Sequence, residues 1–382
     1  MYYVSLVTRS IARDESEMIG RLRNLGTVKY LAWFLAIALA SILSWSALTA
    51  YEFLALGLYP VREEPPVFTT YFLLRSLFAL AIAGTLVSVL ILGAADTALC
   101  RGRLTITQRT LALAAMLTGL GLTAVFLADP ETFRAMAEED SAAEWLSAIL
   151  TLGAGCLFAV ETLIRARNLK GGRLRHVPVL IASGFALLFF LIGMEEISWM
   201  QRIADFDTPA AIEEINWQGE FNLHNIHTDL SETVYYTGAG IFLCLFPLLR
   251  ETVRPGVAAL DALLGFLPAR SVAAISAPTA MFNYGHWNLI PIQVTAFATL
   301  LVLLAFGNAA RLRGDRGEAC LFGFLAFGIL AGQSIFLTLG QRMIEIPNAT
   351  EFKELFISVG IGWFAINRFM TWYKNGSFST LR

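Results

Sequence analysis

The sequence predicts an all-α protein, a polytopic transmembrane helical bundle of about ten spans with both termini cytoplasmic. Three observations carry this reading. Of the 382 residues, 56% are hydrophobic and 15% charged, and the mean hydropathy is +0.62, a balance suited to an outer surface of lipid. The apolar residues fall in blocks long enough to cross a hydrocarbon core of roughly 30 Å, which takes about 20 helical residues. Those blocks lack the period-two alternation of a membrane barrel, so their backbone groups must be satisfied within helices.

In chain order the spans are expected near 30–50, 72–95, 110–128, 144–164, 177–197, 233–250, 290–310, 319–340 and 353–373, with a less regular one between 256 and 284. That segment carries Pro268, Arg270 and Pro278, which fit a broken helix, a re-entrant pair, or an interfacial helix plus a short crossing. Backbone broken at membrane depth survives only under protein or water. Residues 30–373 thus form a single transmembrane domain, with cytoplasmic tails 1–29 and 374–382 and an extracytoplasmic loop 198–232. The five basic residues of the first 29 read as a tail and not as the short n-region of a signal peptide.

Orientation follows from the basic residues, which are retained on the cytoplasmic side. On this topology 21 of the 28 Lys and Arg lie in cytoplasmic segments, and about 21 of the 30 acids lie on the other face, so an even number of crossings is required. A multi-pass protein of a bacterial inner membrane is the expectation. Cys100, Cys156, Cys244 and Cys320 lie in spans or at their cytoplasmic ends without metal-ligand spacing, and read as packing residues.

The chemistry concentrates between Gly193 and Asp229. A span closes with Glu195-Glu196-Ile-Ser198-Trp199-Met200-Gln201-Arg202, and Asn216-Trp-Gln218-Gly219-Glu220-Phe-Asn222-Leu-His224-Asn225-Ile-His227 follows. These residues resemble a family of uncharacterised bacterial polytopic membrane proteins with the pattern Glu-Glu-x-Ser-Trp-Gly-Gln-Arg and then Asn-x-Gln-Gly-Glu-x-Asn-Leu-His-Asn. Met200 stands where that pattern has glycine. The resemblance covers about 35 residues, extends loosely to Glu138–Trp145, and implies a motif without an activity.

Glu195 lies 19 residues beyond His176, roughly 28 Å along a helix, and so near the outer edge of the hydrocarbon. Helical spacing puts Glu195, Ser198, Trp199 and Arg202 on one stripe with Glu196 a quarter-turn away, so Arg202 could neutralise one carboxylate and leave the other for protons or a cation. The plainer alternative is an interfacial ion pair below a Trp anchor. His224 and His227, spaced i, i+3, would point both imidazoles one way. With Glu220, one of Glu195 and Glu196, or His286, they would make a site for a divalent metal such as zinc; the alternative is a set of hydrogen-bonded interfacial histidines. There is no His-Glu-x-x-His.

Several acids have structural explanations. Ser141 with Glu144, Asp229 with Glu232, and Asn348 with Glu351 have capping-box spacing, and Thr208-Pro209 fits an N-cap followed by proline. An internal echo links Gln201-Arg202-Ile to Gln341-Arg342-Met, each followed by an acid, a proline turn and a short helix. A tandem repeat of spans 4–6 and 8–10 would bring Gln341, Arg342 and Glu345 to the opposite wall of a shared cleft; chance likeness of apolar spans is the alternative.

No nucleotide or nucleic-acid signature is present. Two function classes lead. One is an extracytoplasmic-face enzyme, a metal-assisted or acid/base hydrolase or transferase on a lipid or lipid-linked substrate, with Glu195 or Glu196 as base, Glu220 beside them and Arg202 or Arg342 holding an anionic head. The other is a cation- or proton-coupled transporter or channel. A non-catalytic assembly or sensing subunit is the third. Thin polarity in the inner half favours the one-sided enzyme site.

Overall fold

Apolar stretches of this length become helices in lipid because only a helix satisfies its own backbone. The computed structural model describes residues 2–61, 66–92, 98–138, 141–167, 176–216, 219–253, 258–339 and 350–374; for residues 2–28, 98, 202, 258, 259 and 261 the description stops at the backbone. Among the described residues all regular structure is helical. The long helices are α1 (Tyr2–Leu56), α2 (Thr70–Leu92), α3 (Ile106–Ala128), α4 (Ala142–Arg167), α5 (His176–Glu196) and α6 (Thr228–Thr252). After the short, broken α7 (Arg270–Ile275) come α8 (Ile290–Leu312), α9 (Arg316–Thr338) and α10 (Glu351–Lys374). Eight of these, all but α7 and α10, are long and apolar enough to cross a membrane. α1 runs back to Tyr2, so the expected tail is a helical extension of the first span.

Two further segments run from one end of the bundle to the other, as the contacts at their ends show. α10 has charged residues near both ends, which shortens its apolar stretch, yet Glu354 bonds Tyr236 at one end of the bundle and Arg368 pairs with Glu161 at the other. The irregular segment runs from Arg270, paired with Glu318, to His286, paired with Glu232. It is the broken helix among the three expected forms: α7, then 3-10 turns at Ala277–Ala280 and Gly285–Asn288. Pro278 cannot donate to a continuing helix. Residues 270–287 are all buried, and side chains help close the interrupted ladder, Ser276 Oγ donating to the Val272 carbonyl and Asn283 Nδ2 to that of Ala280. In α6 a π-type turn at Ile241–Leu245 precedes Pro247, which removes a ladder donor.

Lipid tails give no hydrophobic drive between helices, so close approach and dispersion hold such a bundle. α4 packs along α5 and α10, and α8 along α2 and α9. Glycines permit the closest contacts: a Cβ at Gly155 would sit 3.2 Å from the Phe190 nitrogen, and one at Gly360 2.8 Å from the Ser276 Cβ. Phenylalanines fill the rest, with Phe126, Phe133, Phe282, Phe336 and Phe352 in one nest and Phe158, Phe185, Phe189, Phe242 and Phe364 in another. Outward-facing leucines such as Leu43, Leu54, Leu77 and Leu180 are exposed, as a lipid-facing surface requires.

Arginines close one end of the bundle. Glu318, fully buried, pairs with Arg313 at 2.8 Å, Arg109 at 3.1 Å and Arg270 at 3.3 Å, and accepts the Leu104 amide at 2.9 Å. Nearby, Glu161 pairs with Arg165 at 2.7 Å and Arg368 at 2.9 Å, and the Arg368 guanidinium lies 3.6 Å over the Phe266 ring. Satisfying each carboxylate several times is what makes such burial tolerable. Arg270, of uncertain position on sequence grounds, belongs to this end. The opposite end is acidic.

Candidate functional site at the acidic end

α5 stops at Glu196, and the chain then takes a left-handed turn. Ser198, Trp199 and Met200 have φ of 44°, 55° and 64°, so the expected stripe from Glu195 through Arg202 does not form. The turn swings Trp199 back so that its indole donates to Glu195 at 2.6 Å. Glycine takes such a φ without strain, whereas Met200 carries a Cβ there.

The polar motif then locks loop 198–224 onto the end of α5. Asn216 donates to the Asn222 carbonyl and side-chain oxygens at 2.9 and 2.8 Å; Asn222 donates to Ser198 at 3.1 Å; and Ser198 donates to Glu220. Gln201 accepts the Phe221 amide at 2.7 Å and donates to Thr208 at 2.7 Å, while Thr208 donates to the Gly219 carbonyl at 2.8 Å. Glu195 ties the loop's far end, accepting the amides of Leu223 at 2.7 Å and His224 at 3.1 Å, with His224 Nδ1 at 3.4 Å. Burial opposes protonation of His224, but its bond to Glu195 and the fields of Glu354, Glu195 and Glu232 outweigh that, so its pKa is raised above 6.5. Glu195 and Glu220 are thereby committed to holding the loop.

Glu196 faces a different set. It lies within the fields of Glu354 and Glu144, while those of Glu196, Glu144, Glu232 and Glu354 all reach Glu351. Four helices, α4, α5, α6 and α10, thus carry five carboxylates that feel one another's charge at this end, an acidic bowl in which Glu232 and Glu354 share Tyr236. Tyr236 donates to Glu354 at 2.7 Å and to Glu232 at 3.4 Å, and His286 Nε2 lies 2.9 Å from Glu232. Lys353, buried beneath, donates to Asn283 and sits 3.9 Å over the Tyr236 ring. Under the bowl a cavity of about 20 Å³, lined by Tyr236, Thr279, Asn283, Thr295, Thr299 and Lys353, has room for one water. No family model, curated protein or solved structure matches this chain.

The expected site residues divide as follows. Glu195 and His224 meet directly, and Glu196 and His286 belong to the bowl. Glu220 joins the loop lock. His227 is exposed and stands just before α6 while His224 lies in a separate 3-10 turn, so the pair does not share the helical turn that their spacing suggests. Among the described residues no three His, Cys, Asp or Glu side chains come together in a form that could hold a metal, and His224 and His286 pair with Glu195 and Glu232. Arg202 is described by its backbone alone, and Gln341, Arg342 and Glu345, with the repeat echo they carry, lie outside the described residues.

The residues missed are the ones explained away as caps. Glu232 does not close a capping box with Asp229: α6 starts at Thr228 after His227, without a side-chain cap, and Glu232 turns to His286 and Tyr236. The Ser141 hydroxyl has no hydrogen-bond partner among the described residues, and the charge of Glu144 reaches Glu196 and Glu351. Asn348 lies outside the described residues, while Glu351 joins the bowl. Thr208 is not an N-cap either; it bridges Gln201 and Gly219, and Pro209 precedes the turn at Ala210–Glu213. Recurrence of acids at the starts of successive helices was the available signal.

Proposed function

We propose that the acidic bowl is the acid–base centre of a membrane enzyme, a hydrolase or transferase acting on a lipid or lipid-linked substrate at the extracytoplasmic face of a bacterial inner membrane. The observation that supports it is the meeting of Glu196, Glu232 and Glu354 with Tyr236 and His286 at the water-side end of a helical bundle. Like charges in a poorly solvated site favour holding protons in common, which suits groups that must accept and return one during a reaction. Glu196 is the base in this reading, taking a proton from an attacking hydroxyl or water. Glu354 with Tyr236 returns a proton to the leaving group, and the Glu232–His286 pair orients them. Arg202 and Arg342 are the groups to hold an anionic head. His224 and His286 act in this reading through their carboxylate partners Glu195 and Glu232.

A second reading, proton-coupled transport, is favoured by Lys353 and the water-sized cavity, which continue polarity below the bowl. Against it, Gly360 packs directly on Ser276 and Leu243 deeper in the bundle.

The test is reconstitution of the full chain in vesicles of bacterial total lipid, with lipids followed by mass spectrometry and lumenal pH by a trapped dye. Conversion that stops in Glu196→Gln and Glu354→Gln supports the enzyme. Proton flux that stops in Glu354→Gln, without any lipid conversion, replaces it with transport.

A further inference from the structure

Between α1, α2 and the start of α8 lies a cavity of about 600 Å³, within the roughly 300–1,000 Å³ typical of ligand sites. Its walls are largely apolar, with Trp45, Phe53, Phe72 and Ile290 among them, and Ser46, Thr49, Thr69 and Asn288 add polar groups. It lies at the same end of the bundle as the acidic bowl: the 3-10 turn Gly285–Asn288 carries His286 in the bowl and Asn288 on the cavity wall.

A charged pair stands inside this apolar space. Of the described side chains of α1 only Phe34 and Glu52 are buried, while Tyr30, Leu31, Ile37 and Leu48 pack partly buried against the core. Glu52 and Arg75 side chains are 6% and 10% exposed, and Arg75 Nε lies 2.6 Å from Glu52 Oε1. Tyr71 donates to the same carboxylate oxygen at 2.9 Å. Glu52 thus accepts one hydrogen bond, from Tyr71, and is ion-paired with Arg75, whose Nε and terminal nitrogens make no hydrogen bond to any described residue. Ionisable groups at membrane depth are costly and mark sites of function. A guanidinium ion-paired on its Nε side presents its terminal donors as a planar fork, the geometry that matches phosphate oxygens.

We infer that this cavity holds one phospholipid drawn from the surrounding leaflet, its phosphate on the Arg75 fork and the upper part of an acyl chain along α1 and α2. The phosphate, not the polar head beyond it, supplies the recognition, so a diacylglycerol with the same chains lacks the main contact. This site is separate from the glutamate bowl and does not depend on the acid–base reading.

The experiment is native mass spectrometry of the detergent-purified full chain titrated with dioleoyl phosphatidylglycerol and, separately, dioleoylglycerol. One phospholipid is expected to bind about tenfold more tightly than the diacylglycerol, the worth of one charge-assisted contact. The double variant Glu52→Gln/Arg75→Gln keeps the packing without a buried lone charge, and it should bind both lipids alike. Glu52→Gln alone keeps the guanidinium and should retain the preference. Thr49→Trp, on the cavity wall, should weaken both lipids, and Glu354→Gln in the bowl should change neither. Equal binding by the unaltered protein, a preference surviving in the double variant, or phospholipid binding untouched by Thr49→Trp would each overturn the assignment.

Discussion

Met200 offers a test in which the sign alone decides. Its φ of 64° closes a run of three left-handed residues. Ser198 and Trp199 are held there by their bonds to Glu220 and Glu195, but the Met200 side chain is 38% exposed and anchors nothing. An L-residue with a Cβ pays about 1–2 kcal/mol in this conformation, while glycine loses about 0.5–1 kcal/mol more chain entropy than alanine on folding. Met200→Gly should therefore exceed Met200→Ala in stability by about 0.5–1 kcal/mol. In a helix interior the order is reversed, with alanine ahead by about 1 kcal/mol. The comparison removes the methionine side chain from both arms, so only the backbone differs. Reversible unfolding in mixed micelles measures the global effect, and hydrogen exchange of the amides of 198–224 measures opening of the loop itself. Alanine equal to or better than glycine would show that α5 does not turn left-handed where described, and the positioning of Glu195 under the loop would fall with it.

Other outcomes follow from particular contacts. Because His224 has a raised pKa in the folded protein, its bond to Glu195 stabilises the loop fully below about pH 6.5 and is lost as pH rises through the folded value; loop exchange should quicken over that window, and His224→Ala should abolish the pH dependence. Asp315, whose pKa the Arg109 guanidinium lowers, works in the opposite sense: its contribution is present above the ordinary carboxylate range and fades as pH falls through the lowered folded value, an effect Asp315→Asn should remove from the acid limb of a stability profile. Glu318→Leu leaves the arginines around it without their buried carboxylate and should cost about 3–5 kcal/mol in micellar unfolding, whereas a loss under 1 kcal/mol would show the network to be solvated. Gly360→Val drives new atoms onto Ser276 and Leu243 and should cost about 1–3 kcal/mol by the same assay.

The loop motif was legible as a motif because its residues lie together in the chain, and Glu195 with His224 was found from that proximity. What the motif does was not legible. Periodicity extended α5 through Arg202, since nothing in Ser-Trp-Met announces a left-handed turn; that turn is imposed by bonds to Glu195, Glu220 and Asn222, all of which depend on the loop folding back. His224 and His227 satisfied a spacing rule that holds only inside one helix, and a helix boundary runs between them. Glu144, Glu232 and Glu351 each fit a local capping rule well enough to be set aside, yet the charge of each reaches a carboxylate of another helix. Arg75 and Glu52 gave no signal, being single charges on separate spans whose pairing depends on how α1 and α2 lean together.

By itself the sequence determined the membrane class, the broken segment, and the sorting of arginines and acids to opposite ends. Those are properties of a single segment: the length of an apolar run, the presence of a proline, and the charge of a loop each act without reference to a partner. Tertiary structure alone decided that four helices lean their acids into one bowl, that the motif is mainly a lock, and that a lone arginine on α2 faces an apolar cavity. Helix–helix packing sets those meetings through glycine contacts and phenylalanine shape, at positions far apart in the chain, where local spacing carries no information.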